Sequence, residues 1–537
     1  MGVYLNRGKA GFERYANNEY IDKSGLIAHI NSTLNTGRML TCVTRPRRFG
    51  KSIAANMLCA YYDKSCDSAA LFDKLSIAQD PSYKVHLNKY PVIYLDITTF
   101  TTKYGDDDRI IEIIQEKVSS EIKRAYPSVE YEEDADLMDI LLAISLSQGE
   151  HFIMIIDEWD ALCREFADKP KLMDKYVSFL RRMFKSNDTG IVFAGVYLTG
   201  ILPIKKYGTQ STLNDFWEYS MTNPAALAPY FGFTSDEVKA LCQKEHMDFK
   251  MLSQWYDGYM LQYNEKTDTG NRVQTAHIFN PNSVIKAIVS RSCENYWART
   301  ESFDSLRRYI DQDFDGVKET LQSLIDEKPV KILTISFGND CNVINSRDEL
   351  FTLMVHLGYV SYNSADHTVK IPNLEIRMEI LEAIRHSLNH KELAELIKNS
   401  DQLMFATHNM DEQKVKEAIE YVHNHHVAPT FYNNEQALRS VVRTAYISAI
   451  DDYQDIQELP KGKGYADIVF IPRPNSSYPA MVIELKWNKS DKTAIEQIRE
   501  RDYPNLLTAF SGEILLVGIS YDMKKKEHQC KIEKICK

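Results

Sequence analysis

No stretch of the chain approaches about eighteen consecutive apolar residues, and its start lacks the apolar core of a signal peptide. These absences give no candidate for a membrane-spanning helix, and the expectation is a cytoplasmic protein. Nine cysteines, at 42, 59, 66, 163, 242, 293, 341, 530 and 536, form no C-x-x-C pair, which removes the zinc-ribbon and disulfide-framework classes. Cys42 and Cys59 lie in apolar runs and read as small buried hydrophobes. Positive charge is also in deficit. With 64 Lys and Arg against 75 Asp and Glu the net charge is -11, so no global field attracts nucleic acid, and only a local basic patch could do so. Nucleophile-elbow, zincin and dinucleotide motifs, internal repeats and low-complexity linkers are all missing.

What is present is a soluble globular composition, 44% apolar and 26% charged, over 537 residues. That length is too great for one core and suggests about three or four units. In the first part, apolar strand candidates at Met39–Thr44, Val92–Ile97, Phe152–Ile156 and Ile191–Val196 alternate with helical patterns at Gly25–Leu34, Ile53–Tyr62, 107–147 and Leu172–Met183. Such alternation predicts a mostly parallel sheet covered on both faces. From about 230 the pattern turns to helices, loops and tyrosines. A helix ending at Gly358, followed by strand-like pieces at Tyr359–Tyr362 and Thr368–Ile371, fits a small winged-helix-like module. The last part reads α-β-β-α-β: Asn434–Ile450, Tyr465–Phe470, Ala480–Lys486, Asp491–Glu500 and Glu513–Ser520.

Two groups of residues carry chemistry. The first is Arg45-Pro46-Arg47-Arg48-Phe49-Gly50-Lys51-Ser52, set between a strand and an alanine-rich helix. Gly50 permits a turn whose backbone N–H groups face a phosphate chain, Lys51 reaches terminal phosphates, and the Ser52 hydroxyl suits Mg2+. Arg45 stands where the phosphate-loop pattern has its first glycine. About a hundred residues later an apolar strand ends in Asp157-Glu158, Asp157 to hold the Mg2+ water shell and Glu158 to polarise an attacking water. Arg45, Arg47 and Arg48 could reinforce phosphate binding, reach a neighbouring subunit's nucleotide, or pair with surface carboxylates. Thr199 is a candidate sensor of the terminal phosphate or a turn cap. Trp255-Tyr256-Asp257-Gly258-Tyr259 reads as an aromatic-flanked turn in which Gly258 supplies the tight backbone.

The second group is Asp467, opening an apolar strand, and Glu484-Leu485-Lys486 in the next. The two-residue period of a strand puts Glu484 and Lys486 on one face, where a charged pair is costly unless it binds something. Two carboxylates from adjacent strands make a hard oxygen site for Mg2+ or Mn2+, and Lys486 would offset charge developing on a phosphate. Glu435, near the start of the preceding helix, could complete the metal shell or organise the lysine. A solvent-facing edge strand is the plain alternative. His423, His425 and His426 read as a polar junction.

The run Thr44-Arg-Pro-Arg-Arg-Phe-Gly-Lys-Ser52, with Ile156-Asp-Glu-Trp-Asp160, Phe231-Gly-Phe-Thr234, Trp255-Tyr-Asp-Gly-Tyr259 and Ile278-Phe-Asn-Pro-Asn-Ser283, resembles the AAA-ATPase-like family over about residues 5–285. This resemblance implies a P-loop fold and ATP binding, and makes Arg45 a family habit. Residues 425–525 resemble the PD-(D/E)xK nuclease superfamily, with Asp467 as its first metal carboxylate, Glu484 and Lys486 as its E-x-K element, and Glu435 as the acid of its first helix. Gln497 and Tyr503 match polar positions of the following helix, while Ala466 replaces the usual proline. The implied organisation is a P-loop ATPase domain at 1–229, a helical extension at 230–340, a helical or winged-helix-like linker at 341–425 and a nuclease-like domain at 426–537. The expected protein binds and turns over ATP, cleaves DNA with Mg2+, and meets a protein partner or its own copy through the middle region. The alternative is a nucleotide-gated signalling protein of the STAND type with a non-catalytic nuclease-like fold.

Overall fold

Four short stretches form strands because each buries both faces, β1 (Leu40–Thr44), β2 (Val92–Asp96), β3 (Phe152–Asp157) and β4 (Phe193–Gly200), and a fifth, β5 (Trp217–Tyr219), adds at the edge with Trp217 exposed. In β3, Phe152, Met154 and Ile156 face one core, while Ile153 and Ile155 face another. Each such side chain contributes about 1.5–3 kcal/mol. Helices Ile110–Ala125, Leu137–Gln148 and Pro170–Phe184 cover the first face, and Ala10–Ala16, Gly25–Asn31 and Lys51–Tyr62 the second. The strands run parallel in the order β2-β3-β4-β1-β5. Four of them are the expected strands, whereas three-residue β5 is too short for a periodic signal. The helical pattern at 107–147 is two helices, separated by a stretch that contains Pro127. The computed structural model describes residues 2–17, 20–204, 213–267, 270–297, 307, 309–312, 314, 316–338, 344–426, 434–456, 467–473, 476–488, 494–496 and 512–536.

Beyond the parallel sheet the region expected to be helical also contains β6 (Phe233–Thr234), β7 (Tyr259–Thr267) and β8 (Gly270–Phe279), an antiparallel sheet ordered β6-β8-β7. The hairpin escapes a periodicity test because Asn264-Glu265-Lys266-Thr267 is polar at both parities. Next come β9 (Val330–Lys331), the helix Arg347–Leu357, β10 (Ser361–Asn363) and β11 (Thr368–Lys370). These three strands pair in the order β10-β11-β9. The Ser346 side chain caps that helix, and Gly358 ends it in the left-handed region at φ 90°.

Gly258 has the role its aromatic neighbours suggested, and a second one. Its φ is +122°, and a Cβ there would stand 1.8 Å from the Pro372 carbonyl oxygen, while the adjacent Tyr259 hydroxyl donates to the Gly358 carbonyl at 2.6 Å. Gly258→Ala should therefore lower stability by about 2–4 kcal/mol, from strain plus a backbone clash, read as a fall in thermal unfolding temperature. An unchanged transition would show that the contact with residue 372 is dispensable.

The chain folds as two compact units. One comprises Met1–Tyr296, Phe314–Gly316 and Glu327–Asn373, and the other Trp297–Asp313, Val317–Asp326 and Leu374–Lys537. The second is built on a mixed sheet, β12 (Tyr453–Ile456), β13 (Ile468–Pro472), β14 (Ala480–Trp487), β15 (Glu513–Asp522) and β16 (Glu527–Cys536), in sequential order. Only β14 and β15 run parallel. The expected first helix and three strands are present with a further strand at each edge, while most of the expected helix Asp491–Glu500 lies outside the described residues. Helices Lys391–His408, Glu412–His426 and Glu435–Ala445 share the core on one face of this sheet. None of the described helices is long and apolar enough to cross a membrane.

Candidate functional sites

The carboxyl ends of the parallel strands are level: Asp96 pairs with Asp157, Asp157 with Thr199, and Thr44 with Gly200. Open parallel sheets bind ligands at this edge. A cavity of about 960 Å³ lies there, lined among others by Arg47, Arg48, Gly50, Lys51, Ser52 and Asp157. The loop after β1 turns through left-handed residues Arg48 (φ 67°) and Gly50 (φ 87°), and Gly50 caps the helix that Lys51 opens.

Lys51 is almost fully buried. Its Nζ lies 3.2 Å from Glu158 Oε1 and donates to the Pro46 carbonyl at 3.1 Å. Glu158 is itself left-handed (φ 51°), and its second oxygen meets Arg164 Nη2 at 2.6 Å. Burial works against this carboxylate, yet Lys51, Arg164 and Arg47 together hold its pKa below the ordinary value. Asp157 is shifted the other way: burial, with Glu158 and Asp96 nearby, raises it to about 6 despite Ser52 and Lys51. The Tyr94 hydroxyl donates to Asp157 Oδ2 at 3.2 Å. Adjacent acids pushed apart in this way are suited to different tasks.

Three sequence candidates do not line the cavity. Arg45 is fully buried, donating from Nη1 to the carbonyls of Thr44 (2.8 Å) and Tyr219 (2.9 Å), with its guanidinium over the Phe231 ring. It braces the loop from within. Pro46 contributes its carbonyl to Lys51. Thr199 is buried in β4, and its carbonyl accepts the Trp159 N–H at 3.0 Å. Conversely, sequence reasoning passed over Arg164, whose Nε also bonds Asp160 Oδ2 at 3.0 Å. The i,i+4 Asp160–Arg164 spacing was the available signal. Asp160 further accepts the N–H groups of Ile201 and Leu202, tying the arginine to the end of β4.

In the second unit, β13 and β14 pair with Val469 opposite Val482, and extending that register sets Asp467 opposite Glu484. Met481, Ile483 and Leu485 pack toward the Glu435–Ala445 helix, and Val469 and Val482 toward the other face. The strand period therefore gives Glu484 and Lys486 to this second face. All three charged residues are buried, at 7% (Asp467), 1% (Glu484) and 6% (Lys486) exposure, which is incompatible with a solvent-facing edge strand. Lys486 Nζ lies 3.1 Å from Glu484 Oε1, and Asp467 Oδ2 accepts the Leu485 N–H at 2.8 Å.

Asp467 Oδ1 is taken by the Arg439 guanidinium. Glu435 lies one turn earlier on the same helix and is exposed, so it is the arginine that reaches Asp467. Gln497 and Tyr503 fall outside the described residues. Among the described residues, no group of three or more His, Cys, Asp or Glu is gathered to hold a metal. The donor set nonetheless fits a hard cation in kind: two buried carboxylates on neighbouring strands, each already drawing a cationic side chain. His423 packs edge-on to Tyr521 and His528, within the second unit.

A family model described as a predicted AAA-ATPase matches residues 11–209, and one of the PD-(D/E)XK nuclease superfamily matches residues 433–531. No curated protein matches the sequence. Among solved structures, the ORC2 protein of Aeropyrum pernix, in ADPNP-ADP complexes, is 13% identical over 71% of this chain and 99% of its own, with a TM-score of 0.24. Cdc6p from Pyrobaculum aerophilum is 11% identical over 73% and 97%, with a TM-score of 0.25. Neither superposition is close enough to carry an argument.

Proposed function

From a chain that carries an N-terminal AAA-ATPase-like domain and a C-terminal PD-(D/E)XK nuclease-like domain, we propose an ATP-binding and ATP-hydrolysing protein whose C-terminal domain cleaves DNA with Mg2+ or Mn2+. The observation that carries the nuclease reading is the burial of Asp467, Glu484 and Lys486, which a purely structural sheet would fill with apolar residues.

At the phosphate loop, the backbone N–H groups opening the Lys51–Tyr62 helix and the Lys51 ammonium bind the triphosphate. Ser52 and Asp157 would hold Mg2+, and Glu158 orients the water for hydrolysis. In the sheet of the second unit, Asp467 and Glu484 would hold the cation, with Glu435 a candidate for its outer shell and Gln497 for a phosphate contact. A bound divalent cation supplies Lewis-acid polarisation of the scissile phosphate. Lys486 stays beside Glu484 and donates to the oxygen on which charge develops. Nucleotide binding, by withdrawing Lys51 from Glu158, would rearrange the loop and license cleavage. The middle region, with a winged-helix-like element at its 344–373 helix and hairpin, would contact DNA, a protein partner or a second copy.

One observation favours a second reading. Arg439 on Asp467 would suit a nucleotide-gated binding protein of the STAND type in which the nuclease fold is silent. The two part on incubation of labelled linear, circular and single-stranded DNA with Mg2+ or Mn2+, with and without ATP. Metal-dependent products support the nuclease, and no product under any of these conditions moves the assignment to the silent fold.

A further inference from the structure

The cavity at the phosphate loop has a second wall that no phosphate chemistry explains. The helix Pro281–Ser290 presents Asn282, Ile285 and Lys286 to it, the i, i+3, i+4 set of one helix face. Tyr20, Ile21, Tyr230 and Phe233 line the same space. Flat and aliphatic side chains around a polar group that seeks a partner are the composition of a site for a planar heterocycle.

Asn282 is that polar group. The Asn280 side chain caps the helix, accepting the Asn282 N–H at 2.9 Å and the Ser283 N–H at 3.3 Å, which fixes where the first turn begins. Among the described residues, Asn282 Nδ2 is buried yet meets no acceptor, and a buried donor left in this state calls for a ligand or a structural reason. Three other polar groups of this wall have tasks already. Lys23 Nζ bonds Glu237 at 2.6 Å and the Pro229 carbonyl at 2.8 Å, the Tyr20 hydroxyl accepts the Lys23 N–H, and the Lys286 ammonium stands over the Tyr296 ring. The wall is held to the phosphate loop by the Gly232 N–H, which donates to the Phe49 carbonyl at 3.0 Å.

We infer that this wall is the nucleobase subsite and that Asn282 selects adenine over guanine through its side-chain amide; the inference rests on the nucleotide-binding reading. Adenine sets an amino donor beside a ring-nitrogen acceptor, which one carboxamide satisfies with its oxygen and its NH2 together. Guanine sets two acceptors on the same edge, so the carboxamide oxygen would face another oxygen. A site built around such a pair rejects the wrong base strongly, because its polar atoms are then left unmatched.

The test is calorimetric titration of the full chain with ATP, GTP and inorganic tripolyphosphate. Wild type should prefer ATP to GTP by a factor on the order of tenfold to a hundredfold. Asn282→Ala should lose that preference while its tripolyphosphate affinity stays as in wild type. Asn282→Asp, which keeps the shape and replaces the donor by an acceptor, should weaken ATP at least as much, and it decides the matter if the alanine variant unfolds. Equal affinity of wild type for ATP and GTP, or a preference that survives both substitutions, overturns the inference and leaves the phosphate loop standing. Absence of binding by both ATP and tripolyphosphate instead removes the nucleotide-binding reading and the subsite with it.

Discussion

Lys486→Ala should reduce DNA cleavage by a factor on the order of 10²–10³ or more, the loss seen when one pre-aligned donor to a developing charge is removed. The lysine is a strong test because of where its charge is kept. It lies on a sheet face beside Val469 and Val482, with its ammonium 3.1 Å from Glu484. Holding an ammonium and two carboxylates in such a place costs desolvation that ion pairing only partly offsets. Removing the cation also withdraws a partner from a buried glutamate, so some loss of stability is expected, and thermal unfolding must accompany the cleavage assay. Asp467→Asn provides a second arm, since it keeps volume and can still accept the Leu485 N–H. Its cleavage should fall comparably, because the Asp467 charge is what would hold the cation. If both variants fold and cut DNA as wild type does, the assignment of this face to nuclease chemistry is lost.

Much of this geometry was legible in the sequence because it depends on short-range periodicities. Period two alone puts Glu484 and Lys486 on one face, and four apolar runs between helical patterns give the parallel strands with their order of appearance. Long-range placement was not legible. Nothing local distinguishes Arg45, folded inward to the Tyr219 carbonyl, from Arg47 and Arg48 on the cavity wall. Whether Glu435 or Arg439 meets Asp467 depends on how a helix is rotated over a sheet, and their one-turn spacing makes both reasonable. Strand β16 shows a signal that was present and overlooked. His528, Cys530 and Ile532 alternate inward at period two, but interleaved Gln529, Lys531 and Glu533 give the run the look of a polar tail. The β7–β8 hairpin is the opposite case, because the polar end of β7 carries no period at all.

Lys51→Ala should weaken ATP binding about 10–100-fold, the loss of one or two charge-assisted hydrogen bonds, and slow hydrolysis further because the same ammonium follows charge onto the terminal phosphate. Folding should survive. The carboxylate that Lys51 leaves behind, Glu158, keeps Arg164 at 2.6 Å, and Arg164 is anchored in turn by Asp160 and the end of β4. A binding defect with an unchanged unfolding transition is therefore the expected combination, measured by calorimetry and phosphate release. Unchanged nucleotide affinity would show that the Arg45–Ser52 loop is an ordinary basic turn. The same variant tests whether the two domains communicate. If nucleotide occupancy licenses cleavage, Lys51→Ala should lose the ATP-stimulated part of DNA cutting while Lys486→Ala continues to hydrolyse ATP. If Lys51→Ala cuts DNA with undiminished ATP stimulation, the phosphate loop is not the control point, and the two activities share a chain without sharing a switch.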